Sequence, residues 1–133
     1  MRYSLALYCS NLTDSTKEFT PIGVLVVDET NQRYAFKRLE NCFSIHGEEV
    51  ITRAVWQSIP EILERSFEVY CKNPNHDLYK KRATEYHGFI RQVIQDYAQS
   101  TICFSDSLLA EGNEDIEQLT QKLFKEKVLG HLN

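Results

Sequence analysis

A chain of 133 residues, 42% hydrophobic and 26% charged, suits one folded domain and excludes a disordered or low-complexity polypeptide. Its net charge of −4, from 15 basic and 19 acidic residues, disfavours indiscriminate attachment to nucleic acid or to an anionic membrane. No apolar run approaches the roughly 18 residues of a membrane span. The short run after Arg2 is broken by Ser4, Ser10 and Asn11, so no signal peptide is expected.

Cys9, Cys42, Cys71 and Cys103 are scattered, with no C-x-x-C pair. Each stands beside apolar or aromatic neighbours, the pattern of buried thiols in a reduced, cytoplasmic protein.

Residues 2–9 alternate, with Tyr3, Leu5, Leu7 and Cys9 on one side, which reads as a strand with one buried face. Residues 10–20 are polar and read as a loop. Ile22–Asp28 is apolar nearly throughout, as in a central strand covered on both faces, and Pro21 suits its start. A turn over 28–32 leads into 33–39, where Tyr34 and Phe36 resume the alternation and complete a hairpin. Arg33 and Lys37 share one face of that strand, and Arg38 takes the other. The N-terminal sheet is therefore expected over 1–40.

A helical segment follows over 48–99. Ile51, Ala54 and Val55 share a face, with Ile59 one turn on. Ser58-Ile59-Pro60-Glu61 has the capping-box pattern with a proline in the first turn, which predicts a break and a second helix to about Lys72. That helix is expected to bury Ile62, Leu63, Phe67 and Tyr70. After Asn73-Pro74-Asn75, a third helix spans roughly 76–99, with Tyr79, Ala83, Tyr86, Ile90, Val93, Ile94 and Tyr97 on one stripe and Gly88 inside it. Thr101–Phe104 is a short strand. The last helix, 113–130, has Asn113 as N-cap, acidic residues in its first turn, lysines toward its end and Gly130 as its stop. Its buried stripe is Ile116, Leu119, Leu123 and Val128 with Phe124. The expected fold class is α+β: a three- to four-stranded, mostly antiparallel sheet with amphipathic helices packed on one face.

The short first strand, the run Glu18-Phe19-Thr20-Pro21-Ile22-Gly23-Val24, and the stretch from Ile102 through Leu123-Phe124 to Val128 stand in that order. This layout resembles the bacterial family catalogued as domain of unknown function 3037. Its members have a Glu-Phe-x-x-Ile/Val-Gly-Val strand, a helical middle, and a short strand before a final helix ending near Leu-Phe-x-x-x-Val. Members usually carry Asn where Pro21 stands here. The resemblance implies no established activity. Members are sometimes encoded beside kinases resembling the HipA toxin, so the resemblance implies a partner or regulator in a toxin-like kinase system.

His46, Glu48 and Glu49 combine an imidazole with carboxylates, as acid–base or metal chemistry needs, but an acidic helix start after the Gly47 turn already accounts for them and is the favoured reading. Cys71 and His76 offer half a zinc site, and Glu85 and His87 do not complete it, so no metal is expected. Lys80, Lys81 and Arg82, between Tyr79 and Tyr86 and followed by Arg91, would form a basic helix face for phosphate or single-stranded nucleic acid. The acidic balance favours the simpler arrangement, with tyrosines in the core and lysines in water. With the helices on one face, part of the sheet that carries Arg38, Arg33 and Lys37 is left open, which is ordinary for an antiparallel sheet and is also where a partner strand or helix would dock. No glycine-rich phosphate loop or nucleophile elbow appears, so no catalytic residue and no cofactor are assigned. The leading expectation is a non-enzymatic interaction or regulatory protein with a protein partner. The alternative is a nucleic-acid-binding or nucleic-acid-processing protein using the basic helix face. A homodimer through a sheet edge or an open sheet face is a third arrangement.

Overall fold

The computed structural model describes residues 1–10, 18–43, 49–73, 88–98 and 100–130. In chain order they form β1 (Arg2–Ser10), β2 (Glu18–Asp28), β3 (Arg33–Arg38), α1 (Glu49–Lys72), α2 (Phe89–Asp96), β4 (Ile102–Phe104), β5 (Leu108–Leu109) and α3 (Ile116–Leu123). A π-helical turn, Phe124–Leu129, extends α3. The strands make one antiparallel sheet in the order β3-β2-β1, with β4 and β5 both on the far side of β1. The fold is α+β, as the sequence implies.

The helices do not gather on one face. α1 and α2 cover one side, where Leu25 and Val27 of β2 meet Trp56, Ile59, Leu63, Phe89, Ile90 and Val93. α3 and its π-helical turn cover the other, where Val24 and Val26 meet Ile116, Leu119, Leu123, Phe124 and Val128. The unbroken apolar run of β2 demands this, because alternate residues point to opposite faces and both sets need cover. The open sheet face expected as a docking surface is therefore absent among the described residues.

β1 is also covered on both sides where it crosses the centre: Tyr3, Ser4 and Ala6 are all buried. Ser4 tolerates burial because its hydroxyl donates to the Ser105 carbonyl at 2.6 Å. The Ser105 hydroxyl in turn accepts the Leu5 N–H at 2.8 Å. These bonds bridge a bulge between β4 and β5, where the step from Ala6 to Tyr3 is matched by the longer step from Phe104 to Leu108. A second bulge lets β1 skip Ile22: Ala6 pairs with Gly23 and Leu7 with Pro21. β2 thus starts at Glu18 and contains Pro21, which lies beyond the stretch paired with β3.

α1 is one helix of 24 residues that runs through Pro60, not two helices divided before it. Its buried stripe is Thr52, Trp56, Ile59, Leu63, Phe67 and Tyr70, the spacing of a single helical face. Ile51 is 74% exposed, and Ala54 and Ile62 are also exposed, so the stripe lies a quarter-turn from the phase that Ile51 suggests. The proline's missing N–H would orphan the Trp56 carbonyl, four residues earlier. Arg38 Nη1 of β3 donates to that carbonyl at 2.9 Å. Ser58, rather than capping a new helix, donates its hydroxyl back to the Val55 carbonyl at 2.7 Å.

α2 starts after Gly88, and Ile90, Val93 and Tyr97 are buried as the stripe predicts. The rest of that expected helix, including Tyr79, Ala83 and Tyr86, lies outside the described residues, as does most of the 10–20 loop. The N-cap of α3 is Asp115, whose carboxylate accepts the Gln118 N–H at 2.8 Å, and not Asn113.

Gly23 makes room for Trp56, the largest of the fully buried side chains among the described residues. A Cβ there would lie 3.1 Å from Arg38 Cβ, 3.2 Å from the Lys37 carbonyl oxygen and 3.2 Å from the Trp56 ring. Gly23→Ala is expected to destabilise the fold by about 1–2 kcal/mol in urea melts, because strand, partner strand and indole must all shift. An unchanged midpoint would show that the sheet relaxes there freely.

Candidate functional site

β3 ends the strand order, and among the described residues no strand pairs with its outer edge. Its inner edge is fixed by the hairpin. Arg33 pairs with Asp28 and Arg38 with Gly23, and the Leu39 N–H donates to the Ile22 carbonyl at 2.9 Å. In an antiparallel ladder the bonded positions alternate. Counting back from Leu39, the backbone groups of Lys37, Ala35 and Arg33 face β2. Those of Tyr34, Phe36 and Arg38 therefore point outward.

The turn that sets this register is held by Asp28. Its carboxylate accepts the Asn31 backbone N–H at 3.3 Å and the Asn31 side-chain amide at 2.8 Å. The Asn31 side chain, opposed by slight burial, keeps the Asp28 carboxyl below its usual range.

A groove of about 720 Å³ runs along the outward edge, lined by Tyr34, Ala35, Phe36, Lys37, Arg38, Glu40 and Pro60. Its floor is aromatic. The Tyr34 ring packs on Phe67 at 4.8 Å, and Phe36 meets the edge of Trp56 at 5.8 Å. The two sides of the strand differ in charge. On the α1 side, burial raises the Tyr34 phenol above its usual pKa, and the nearby Glu64 and Glu68 carboxylates raise it further. On the α3 side stand Arg33 and Lys37, both exposed, with the Lys37 ammonium 5.2 Å from the centre of the Phe124 ring. Among the described residues neither makes an ion pair with a carboxylate.

Of the described residues that the sequence singled out, Arg38 and Lys37 line the groove, and the head group of Arg38 is engaged in the fold. Besides its bond to the Trp56 carbonyl, its guanidinium lies 5.1 Å from the centre of the indole. The indole N–H closes the unit by donating to the Leu39 carbonyl at 2.7 Å. Arg38 thus locks β3 to α1 and lends the groove its backbone.

Arg91 stands on α2, half-buried, and is not part of the groove lining. Lys80, Lys81, Arg82, His46 and Glu48 lie outside the described residues, as do His76, Glu85 and His87. The His46 cluster and, apart from Arg91, the basic helix face thus fall outside what the structure describes. Cys42 is exposed, contrary to the expectation of four buried thiols, while Cys9 is buried and Cys71 and Cys103 are half-buried. Among the described residues no group of three or more His, Cys, Asp or Glu is placed to hold a metal ion. No described helix is long and apolar enough to cross a membrane.

Sequence reasoning passed over Tyr34, Phe36 and Pro60 as site residues. Their signal is faint: an alternating strand after a hairpin turn, with basic residues on one side, is what an edge strand carries. Comparison with known proteins finds no match: no family model, no curated protein and no solved structure matches this chain.

Proposed function

We propose that this protein is a protein-interaction module that accepts an extended segment of a partner as an added strand on the outer edge of β3. The observation that carries the reading is the set of outward backbone groups of Tyr34, Phe36 and Arg38 along a groove with an aromatic floor. Such an edge supplies main-chain hydrogen bonds for affinity, and its alternating pockets supply selectivity. Arg38 and Trp56 fix the edge before a partner arrives, which lowers the ordering cost of binding.

A displayed library of extended ten-residue peptides tests this. Segments of a kinase resembling the HipA toxin, the partner that the family resemblance implies, belong in that library. A bound peptide should slow amide exchange at Tyr34, Phe36 and Arg38 at least about tenfold, since these N–H groups gain partners, and leave Ala35 and Lys37 nearly unchanged. Binders that protect other amides, or a library without binders, would refute the reading.

A further inference from the structure

The two sides of β3 specify what the added strand carries. On the α3 side the strand presents Arg33, Ala35 and Lys37, a small residue between two exposed cations. On the α1 side it presents Tyr34 and Phe36, packed against Phe67 and Trp56, with the Glu64 and Glu68 carboxylates near the Tyr34 end. An added strand lays alternate residues on each side. Opposite-charge pairs directly across a sheet stabilise it, and like charges destabilise it.

Resting on the strand-addition reading, we propose that the β3 edge selects an extended partner segment of the pattern acidic-x-apolar-x-acidic. The two carboxylates lie opposite Arg33 and Lys37. The central apolar side chain fills the space over Ala35, and the intervening residues face Tyr34, Phe36 and Pro60. The pattern is the same from either end, so it serves a parallel or an antiparallel segment. The same charges turn away a second copy of this chain. Two copies of β3 joined antiparallel at their outer edges put Lys37 of one directly opposite or diagonal to Arg33 or Lys37 of the other. This holds in each register that pairs the outward positions of the two strands.

The test uses two labelled peptides of seven residues, Thr-Glu-Val-Leu-Val-Glu-Thr and the same peptide with lysine in place of both glutamates. Binding to the full chain is followed by fluorescence anisotropy at low and at physiological salt, together with amide exchange. The glutamate peptide is expected to bind at least about tenfold more tightly than the lysine peptide, with the margin shrinking as salt rises. Arg33→Glu/Lys37→Glu should invert the preference. Arg33→Gln/Lys37→Gln, which removes charge without adding any, should abolish it. Circular dichroism establishes that both variants fold. Equal binding of the two peptides with protection of Tyr34, Phe36 and Arg38 would overturn the charge selection and leave strand addition standing. Binding without protection of those amides, or no binding by either peptide, would overturn both.

Discussion

Replacing Arg38 by methionine is expected to lower the unfolding free energy by about 2–3 kcal/mol, read from urea midpoints. The Trp56 carbonyl, four residues before a proline, then has no donor, and an unpaired buried acceptor costs about 1–3 kcal/mol. Loss of the guanidinium from over the indole adds roughly 0.5–1 kcal/mol. The decisive comparison is with Pro60→Ala. An alanine at that position supplies the helical N–H, so the Trp56 carbonyl no longer needs Arg38. In that background the loss on Arg38→Met should shrink to about 1 kcal/mol, giving a coupling of the size found between directly linked residues. Equal losses with and without Pro60 would show that the arginine acts only through packing.

The second large effect depends on pH. Glu29 lies in the turn between β2 and β3, half-buried, and its Oε1 has no hydrogen-bond partner among the described residues. Burial pushes its carboxyl from 4.5 up to about 7, against the pull of the nearby Arg2 guanidinium. Between those two values the folded protein holds a proton that the unfolded chain has already released. Stability from this group is therefore complete below pH 4.5 and is lost as pH rises to about 7. The full rise corresponds to about 3 kcal/mol, and about 2 kcal/mol is expected because water still reaches part of the side chain. Glu29→Gln, which cannot ionise, should exceed the wild type by about that amount at pH 8 and match it near pH 4. Urea melts of both proteins across this range give the difference directly. A gap that widens toward acid would contradict the buried, protonated carboxyl.

Much of the fold was legible because its signals are local. The run from Ile22 to Asp28 announced a strand covered on both faces, and the structure covers it with α1 on one side and α3 on the other. The stripe of Ile116, Leu119, Leu123, Phe124 and Val128 announced a buried helix face. What stayed hidden depends on partners distant in sequence. Ser4 looked like a solvent residue in an alternating strand, because its acceptor, Ser105, comes near the other end of the described chain. Pro60 looked like a boundary, because the donor that lets the helix continue stands on β3. Trp56 escaped notice because Ile51, which is exposed, set the apparent phase of the helix.

The candidate site was only half visible. Arg38 drew attention as a charge, yet the groove uses its backbone, and no pattern of residue types reveals which way a main-chain amide points. Arg33 and Lys37 were placed correctly on one face, but their value as recognition groups depends on β3 ending the sheet. A single sequence does not give strand order when β1 takes its second neighbour from residues about a hundred positions away.

That long-range closure carries a temporal consequence. β1 leaves the ribosome ahead of the other strands of its sheet but is joined on its second side only when the Ile102–Leu109 stretch arrives, with 101 positions separating Ser4 from Ser105. At translation speeds of roughly 5–20 residues per second the wait is about 5–20 s, far longer than a hairpin needs to form. The nascent polypeptide therefore presents Leu5, Leu7 and Tyr8 to its surroundings as an unfinished template. A holdase that shields β1 would raise the yield of native protein, and a transcript truncated before Ile102 would yield aggregates instead of a smaller domain.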